Sequence, residues 1–173
     1  MLTTIERIEK IGMFADASDL LLYIMAASQA IENYCKRSFK RQTYTEVLDG
    51  AGSPYLVLSN YPVYSGKAYL DGKEIDLSPN DDGMLFLPDG WPKGIRNITV
   101  TYDAGYVLPG DPNRTLPEAV EVACIFAVQG LIQNPTGIKS ERVGDISVTF
   151  GDGDNMLSPT VKALLTPYVG RWV

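Results

Sequence analysis

The apolar residues change period twice along this chain, and that double change constrains the fold more than any single motif. Leu20, Ile24, Ala27, Ile31 and Tyr34 recur at spacings of four, three, four and three, the stripe of an amphipathic helix. From Gln42 the period falls to two. "QTYTEVL" (42–48) alternates and is rich in β-formers, "YLVL" (55–58) is a second strand, and "ITVTY" (98–102) is the strongest strand of all. Residues 68–70 and 73–75 flank Asp71-Gly72, the turn signal of a tight hairpin. Leu116, Val120, Ala123, Ala127 and Leu131 then restore the helical stripe. The order is helix, helix, β insert, helix, hairpin, helix. The fold class expected is α+β: a small helical bundle with an inserted antiparallel β-rich unit and a late β-hairpin.

The boundaries follow local signals. Thr3 and Glu6 have capping-box spacing ahead of a short helix over 3–10, with Gly12 as its stop. Asp16 or Ser18 can cap the second helix, and Lys36 and Arg37 suit the negative end of its dipole. Thr115 and Glu118 repeat the capping-box spacing, with Pro117 in the first turn. We expect one domain over 1–173. Within it lie N-terminal helices over 1–40, a β-rich insert over 41–106, a helix over 115–134, a hairpin over 140–151, and a C-terminal helix and tail over 158–173.

Composition narrows the chemistry. The chain has 173 residues and no histidine. That removes Ser-His-Asp and Cys-His nucleophiles, the commonest general base and the commonest zinc ligand. A net charge of −6 argues against general affinity for nucleic acid, which needs clustered Lys and Arg. It is compatible with DNA sliding past without sticking. The opening "MLTTIERIEK" has no apolar signal-peptide core, and the apolar run 20–27 is too short for a bilayer, which takes roughly 20 residues. A soluble protein made in the cytoplasm, with no membrane contact, is expected. Cys35 and Cys124 lie far apart within apolar helical patterns and read as two buried thiols.

Each candidate for chemistry meets a plainer reading. "GDGDN" (151–155) offers Asp152, Asp154 and Asn155, but it lacks a Gly at the calcium-loop offset, and no Glu lies downstream, so a polar turn is preferred and no metal is assigned. Glu141, Asp145 and Asp103 are candidate paired carboxylates for a hydrolase, yet nothing in the sequence pairs them. No Gly-rich stretch has the spacing of a phosphate loop. No cofactor is assigned, and no enzyme is expected. Eight aromatics of the β insert (Tyr44, Tyr55, Tyr61, Tyr64, Tyr69, Trp91, Tyr102 and Tyr106) suggest an alternative, a binding module for glycans or a host surface, with Trp91 as its test. Finally, "SERVGDISVTF" (140–150) reads as a bend at Gly144 between two short strands. Ile146, Val148 and Phe150 share one face there, which needs cover from the chain's own helices or from a neighbour.

Several segments, in order, resemble one family. They are Ala26-Ala27, Ile31-Glu32, Tyr34-Cys35 and Arg37-Ser38-Phe39 in the early helix; Tyr61-Pro62-Val63 before a hairpin; "ITVTYDAGY" followed by "LPEAVEVACIFAVQGLIQN"; and "SERVGDISVTF" leading to "LSPTVKALLTPYVGRW". Together they resemble the head-tail connector (adaptor) proteins of tailed bacteriophages. The resemblance implies a structural virion protein at the head-tail junction that forms a ring, typically of twelve copies, beneath the portal protein. Such a ring extends the DNA channel without sequence-specific binding and docks a stopper or tail-completion protein. Assembly contacts are expected at Glu141, Arg142, Asp145, Ile146, Val148 and Phe150 of the hairpin. Arg171 and Trp172 join them, because Arg and Trp are favoured interface anchors.

Overall fold

A computed structural model of the chain describes residues 1–13, 16–70, 72–133, 140–143, 146–149 and 157–170. The chain forms two compact units. The first comprises Met1–Cys35 and Pro109–Val169, and the second contains Lys36–Leu108.

The first unit is helical. It holds α1 (Ile5–Lys10), α2 (Ala17–Cys35), α3 (Glu118–Gln133) and α4 (Pro159–Leu165). Helix α2 packs against α1 and α3, and α3 against α4. Most of the stripe read from the sequence is buried: Leu20, Ile24, Ala27 and Ile31 are fully inaccessible, as are Val120 and Ala123 on α3, while Tyr34 is half-buried. Ser158 caps α4, its hydroxyl accepting from the Val161 amide at 3.3 Å, with Pro159 in the first turn.

The first cap differs from expectation. Thr4, not Thr3, caps α1 and accepts from the Arg7 amide at 3.2 Å. Thr3 is fully buried and donates to Glu121 at 3.4 Å. Spacing alone cannot choose between adjacent threonines; the buried acid on α3 does.

The second unit is β-rich. Four antiparallel strands run in the order β1 (Gln42–Gly50), β6 (Gly94–Ala104), β3 (Val63–Leu70) and β4 (Lys73–Leu77). A small pair, β2 (Tyr55–Val57) and β5 (Met84–Phe86), accompanies them. Ile98, Val100, Tyr102 and Ala104 of β6 are buried, and the residues between them are half-buried, so one face of the sheet covers a core that includes Leu58, Val63, Ala68 and Trp91. Leu70 pairs with Lys73 across the expected tight turn, where Gly72 has φ +77°.

Strand β3 begins five residues before the expected start at Ala68. Gly66 lies inside the strand. A Cβ at Gly66 would stand 2.6 Å from the Tyr102 Cβ, so this glycine allows two strands to approach closely.

Candidate assembly surfaces

The late hairpin is formed by β7 (Ser140–Val143) and β8 (Ile146–Thr149). Its antiparallel register sets Glu141 opposite Val148, Arg142 opposite Ser147, and Val143 opposite Ile146. Four of the expected contact residues, Glu141, Arg142, Ile146 and Val148, therefore come together on two paired strands. Asp145, Phe150, Arg171 and Trp172 lie outside the described residues, as do Gly144, Asp152, Asp154 and Asn155.

The helical unit carries a polar cluster that sequence reading missed. Glu121 is 2% exposed. Arg114 Nη1 donates to its carboxylate, Thr3 adds the hydroxyl contact, and Arg7 Nε lies 4.0 Å away. Arg114 also donates to Glu118 through Nη2. Beside this cluster the Leu2 amide donates to Ser28 Oγ at 2.9 Å, and Ser28 Oγ lies 3.7 Å from Cys124 Sγ. The N-terminal residues are thus clasped by α2 and α3. The only sequence signal was an acid on the apolar side of a helical stripe.

Both cysteines are buried thiols. Burial pushes the Cys124 thiol up to about 11, partly opposed by its contact with Ser28. Because the folded pKa lies above the unfolded one, this thiol stabilises the fold below pH 9, and that contribution is lost as pH rises toward 11. Burial and Glu46 raise Tyr102 in the same direction. Urea denaturation between pH 8 and pH 11 is expected to show falling stability, with a shallower fall in Cys124→Ala. An unchanged slope in that variant would remove Cys124 as a cause.

In the β-rich unit, Arg37 departs from its expected role at a helix end. Helix α2 stops at Cys35, and the Arg37 guanidinium lies 3.4 Å from the Tyr61 ring centroid, 5.2 Å from Phe39 and 5.9 Å from Tyr106. Arg37 also donates through Nη2 to the Tyr61 carbonyl. An aromatic cage, rather than the helix dipole, holds this cation.

Among the carboxylate and aromatic candidates, Asp103, Tyr64 and Tyr102 have structural partners and Trp91 is buried. Asp103 accepts from Arg41 Nη2 at 2.6 Å and Nε at 3.0 Å, and Arg41 in turn stacks on Tyr64 at 3.9 Å. Glu46 accepts from the Ser59 hydroxyl at 3.1 Å, from the Ser59 amide, and from the Tyr102 hydroxyl. Trp91 is only 2% exposed, so it offers no face to a sugar ring, and the glycan-binding alternative loses its central residue. Among the described residues no cluster of metal-binding side chains occurs, and no helix is long and apolar enough to cross a membrane.

The two long helices expose Leu21, Leu22 and Met25 on α2 and Phe126 on α3, while Val47, Tyr69 and Ile95 are exposed in the β-rich unit. Tyr55 and Phe86 form an exposed aromatic pair in the β-rich unit, with ring centroids 5.4 Å apart.

Comparison with known proteins bears on what these surfaces serve. The family model described as head completion protein matches residues 2–169. No curated protein matches the chain. Among solved structures, a chain of the neck of a native GTA particle computed with C12 symmetry aligns with a TM-score of 0.57 at 16% identity, over 98% of this chain and 89% of that one. A chain of the neck of an empty GTA particle computed with C6 symmetry gives 0.53 at 16% identity, over 97% and 89%. A chain of the virion of a native gene transfer agent particle gives 0.51 at 18% identity, over 93% and 81%. At these identities the likeness is one of fold.

Proposed function

The chain belongs to the head completion protein family, and on that premise we propose that it is a non-catalytic component of the virion neck, assembled as a ring at the head-tail junction. The observation that carries this reading is the family match over nearly the whole chain, from residue 2 to residue 169. Shared fold with chains of symmetric particle necks supports it. The missing histidine and the excess of acids over bases agree with it, because neither catalysis nor DNA adhesion is required of a channel wall.

In this reading the ring has twelve copies and joins the portal protein to a stopper or tail-completion protein. The β7–β8 hairpin reaches a neighbouring chain or the portal, with Glu141, Arg142, Asp145, Ile146, Val148 and Phe150 as its contacts. Arg171 and Trp172 add a second anchor. A two-stranded hairpin is marginal alone in water, which suits a segment that another chain completes.

The test mixes purified chain with purified portal and images the product by electron microscopy. A ring stacked on the portal is expected. A chain that neither forms rings nor binds portal at any concentration would sink the reading. For the hairpin, Arg142→Glu combined with Asp145→Lys is expected to leave thermal unfolding within about 0.5 kcal/mol of the parent, as surface changes do. Portal co-sedimentation is expected to fall at least tenfold. Full retention of binding would remove the hairpin from the interface.

A further inference from the structure

The helical unit has two features that one chain alone does not explain. The first is a lack of charge. Residues 20–31 of α2 ("LLLYIMAASQAI") and 122–133 of α3 ("VACIFAVQGLIQ") contain no Asp, Glu, Lys or Arg, in a chain with 21 acids and 15 bases. A helix on a protein surface ordinarily carries charge on the side away from its core. Here the outer side of α2 carries Leu22 and Met25, 62% and 55% exposed, and that of α3 carries Phe126, 42% exposed. A single exposed apolar residue means nothing. A pair of exposed apolar residues at helical spacing on α2 and an exposed Phe on the adjacent α3, both in stretches without charge, have the composition of an interface core.

The second feature is Gly130. It lies inside α3, exposed, one turn beyond Phe126 on the same side. Glycine is the least favourable helix residue after proline. A Cβ at this position would meet no atom within 4 Å, so nothing among the described residues requires its absence. A glycine that weakens its helix without an internal reason fits a place where something from outside comes close.

Charge identifies the visitor. Nucleic acid or an anionic lipid surface calls for Lys and Arg, and a basic protein calls for the acids this chain has in excess. A second copy carries the same net charge of −6 and is repelled from every acidic face. It meets this chain best where charge is missing. We propose that the outer face of α2 in one copy, with Leu22 and Met25 projecting, packs on the outer face of α3 in the next, at the notch of Gly130 beside Phe126. Two different faces meet, so the contact is heterologous and closes into a ring when the rotation allows. This rests on the ring reading above and assigns the surfaces that make the ring.

The test uses full-length chains carrying Met25→Cys or Phe126→Cys, mixed at high concentration under mild oxidation. Cys35 and Cys124 are buried and stay silent. A mixed disulfide between the two chains is expected at several times the yield of a control that pairs Phe126→Cys with Thr45→Cys on the exposed side of β1. A second variant separates assembly from folding. Gly130→Ala is expected to raise the melting temperature by a few degrees while lowering the yield of rings, two effects of opposite sign. Rings that form with only control-level disulfide would overturn this assignment and leave the ring reading standing. So would rings unaffected by Gly130→Ala, or a disulfide to the portal in place of a second copy. No ring and no disulfide, with or without portal, would overturn both.

Discussion

Arg114→Met is expected to destabilise the helical unit by about 3 kcal/mol, a fall in melting temperature of roughly 10 °C. The reason is the partner left behind. Glu121 is 2% exposed, and without Arg114 it keeps only the Thr3 hydroxyl at 3.4 Å and Arg7 Nε at 4.0 Å. A buried carboxylate that loses its cation keeps its desolvation cost without compensation. Glu121→Gln should cost less, because Arg114 is partly exposed and still has Glu118. The double variant Arg114→Met with Glu121→Leu should recover most of the loss, since replacing a whole buried pair by apolar groups is often neutral. Equilibrium unfolding of the parent, Arg114→Met, Glu121→Leu and the double variant closes a double-mutant cycle. Additive losses would show that the pair is not coupled.

Trp91→Ala is expected to cost the β-rich unit about 4 kcal/mol, in the range for a large aromatic removed from a packed core. Trp91 is buried among Leu56, Leu58, Leu85 and Ile98 in that core. Its amide donates to the Ser53 carbonyl and its carbonyl accepts from the Gly52 amide, so the side chain anchors the loop between β5 and β6. The indole N–H has no partner among the described residues. Trp91→Phe therefore removes volume without orphaning a partner, and it should cost less than half as much. Amide exchange in β6 reads the effect directly. Protection unchanged in Trp91→Ala would contradict a core role and reopen the surface-binding alternative.

The sequence carried most of the architecture because periodicity is read where burial is regular. The stripe from Leu20 to Ile31 and the alternation at Ile98, Val100 and Tyr102 both report one dry side. It failed where a contact across the chain decided the matter. Thr3 and Thr4 are equivalent as caps until Glu121 claims one of them. Strand β3 looks shorter than it is until Gly66 is seen to admit Tyr102 against it. Arg37 looks like a helix-end cation until Tyr61 and Phe39 surround it. Trp91 looks like a binding residue because composition cannot tell a buried ring from an exposed one. The proposed assembly faces were least legible. An interface is written as a missing charge or an unexplained glycine, and such signals show only after the chain's own core has been subtracted.

The ends of the β-rich unit also set the order in which the chain can form. The Arg41 amide donates to the Tyr106 carbonyl at 2.8 Å, and the Tyr106 amide donates to the Phe39 carbonyl at 2.7 Å, so this unit enters and leaves side by side. Helices α2 and α3 are separated by roughly 80 residues of chain. Docking them while that stretch is unfolded requires closing a long loop. Once the β-rich unit has formed, the effective loop is about five times shorter, which lowers the closure cost by on the order of 1.4 kcal/mol. The β-rich unit, once its long-range β1–β6 and β3–β6 pairings have closed, is then a template that speeds the pairing of two helices it does not belong to. Destabilising it should slow the refolding of the helical unit while leaving its unfolding rate alone.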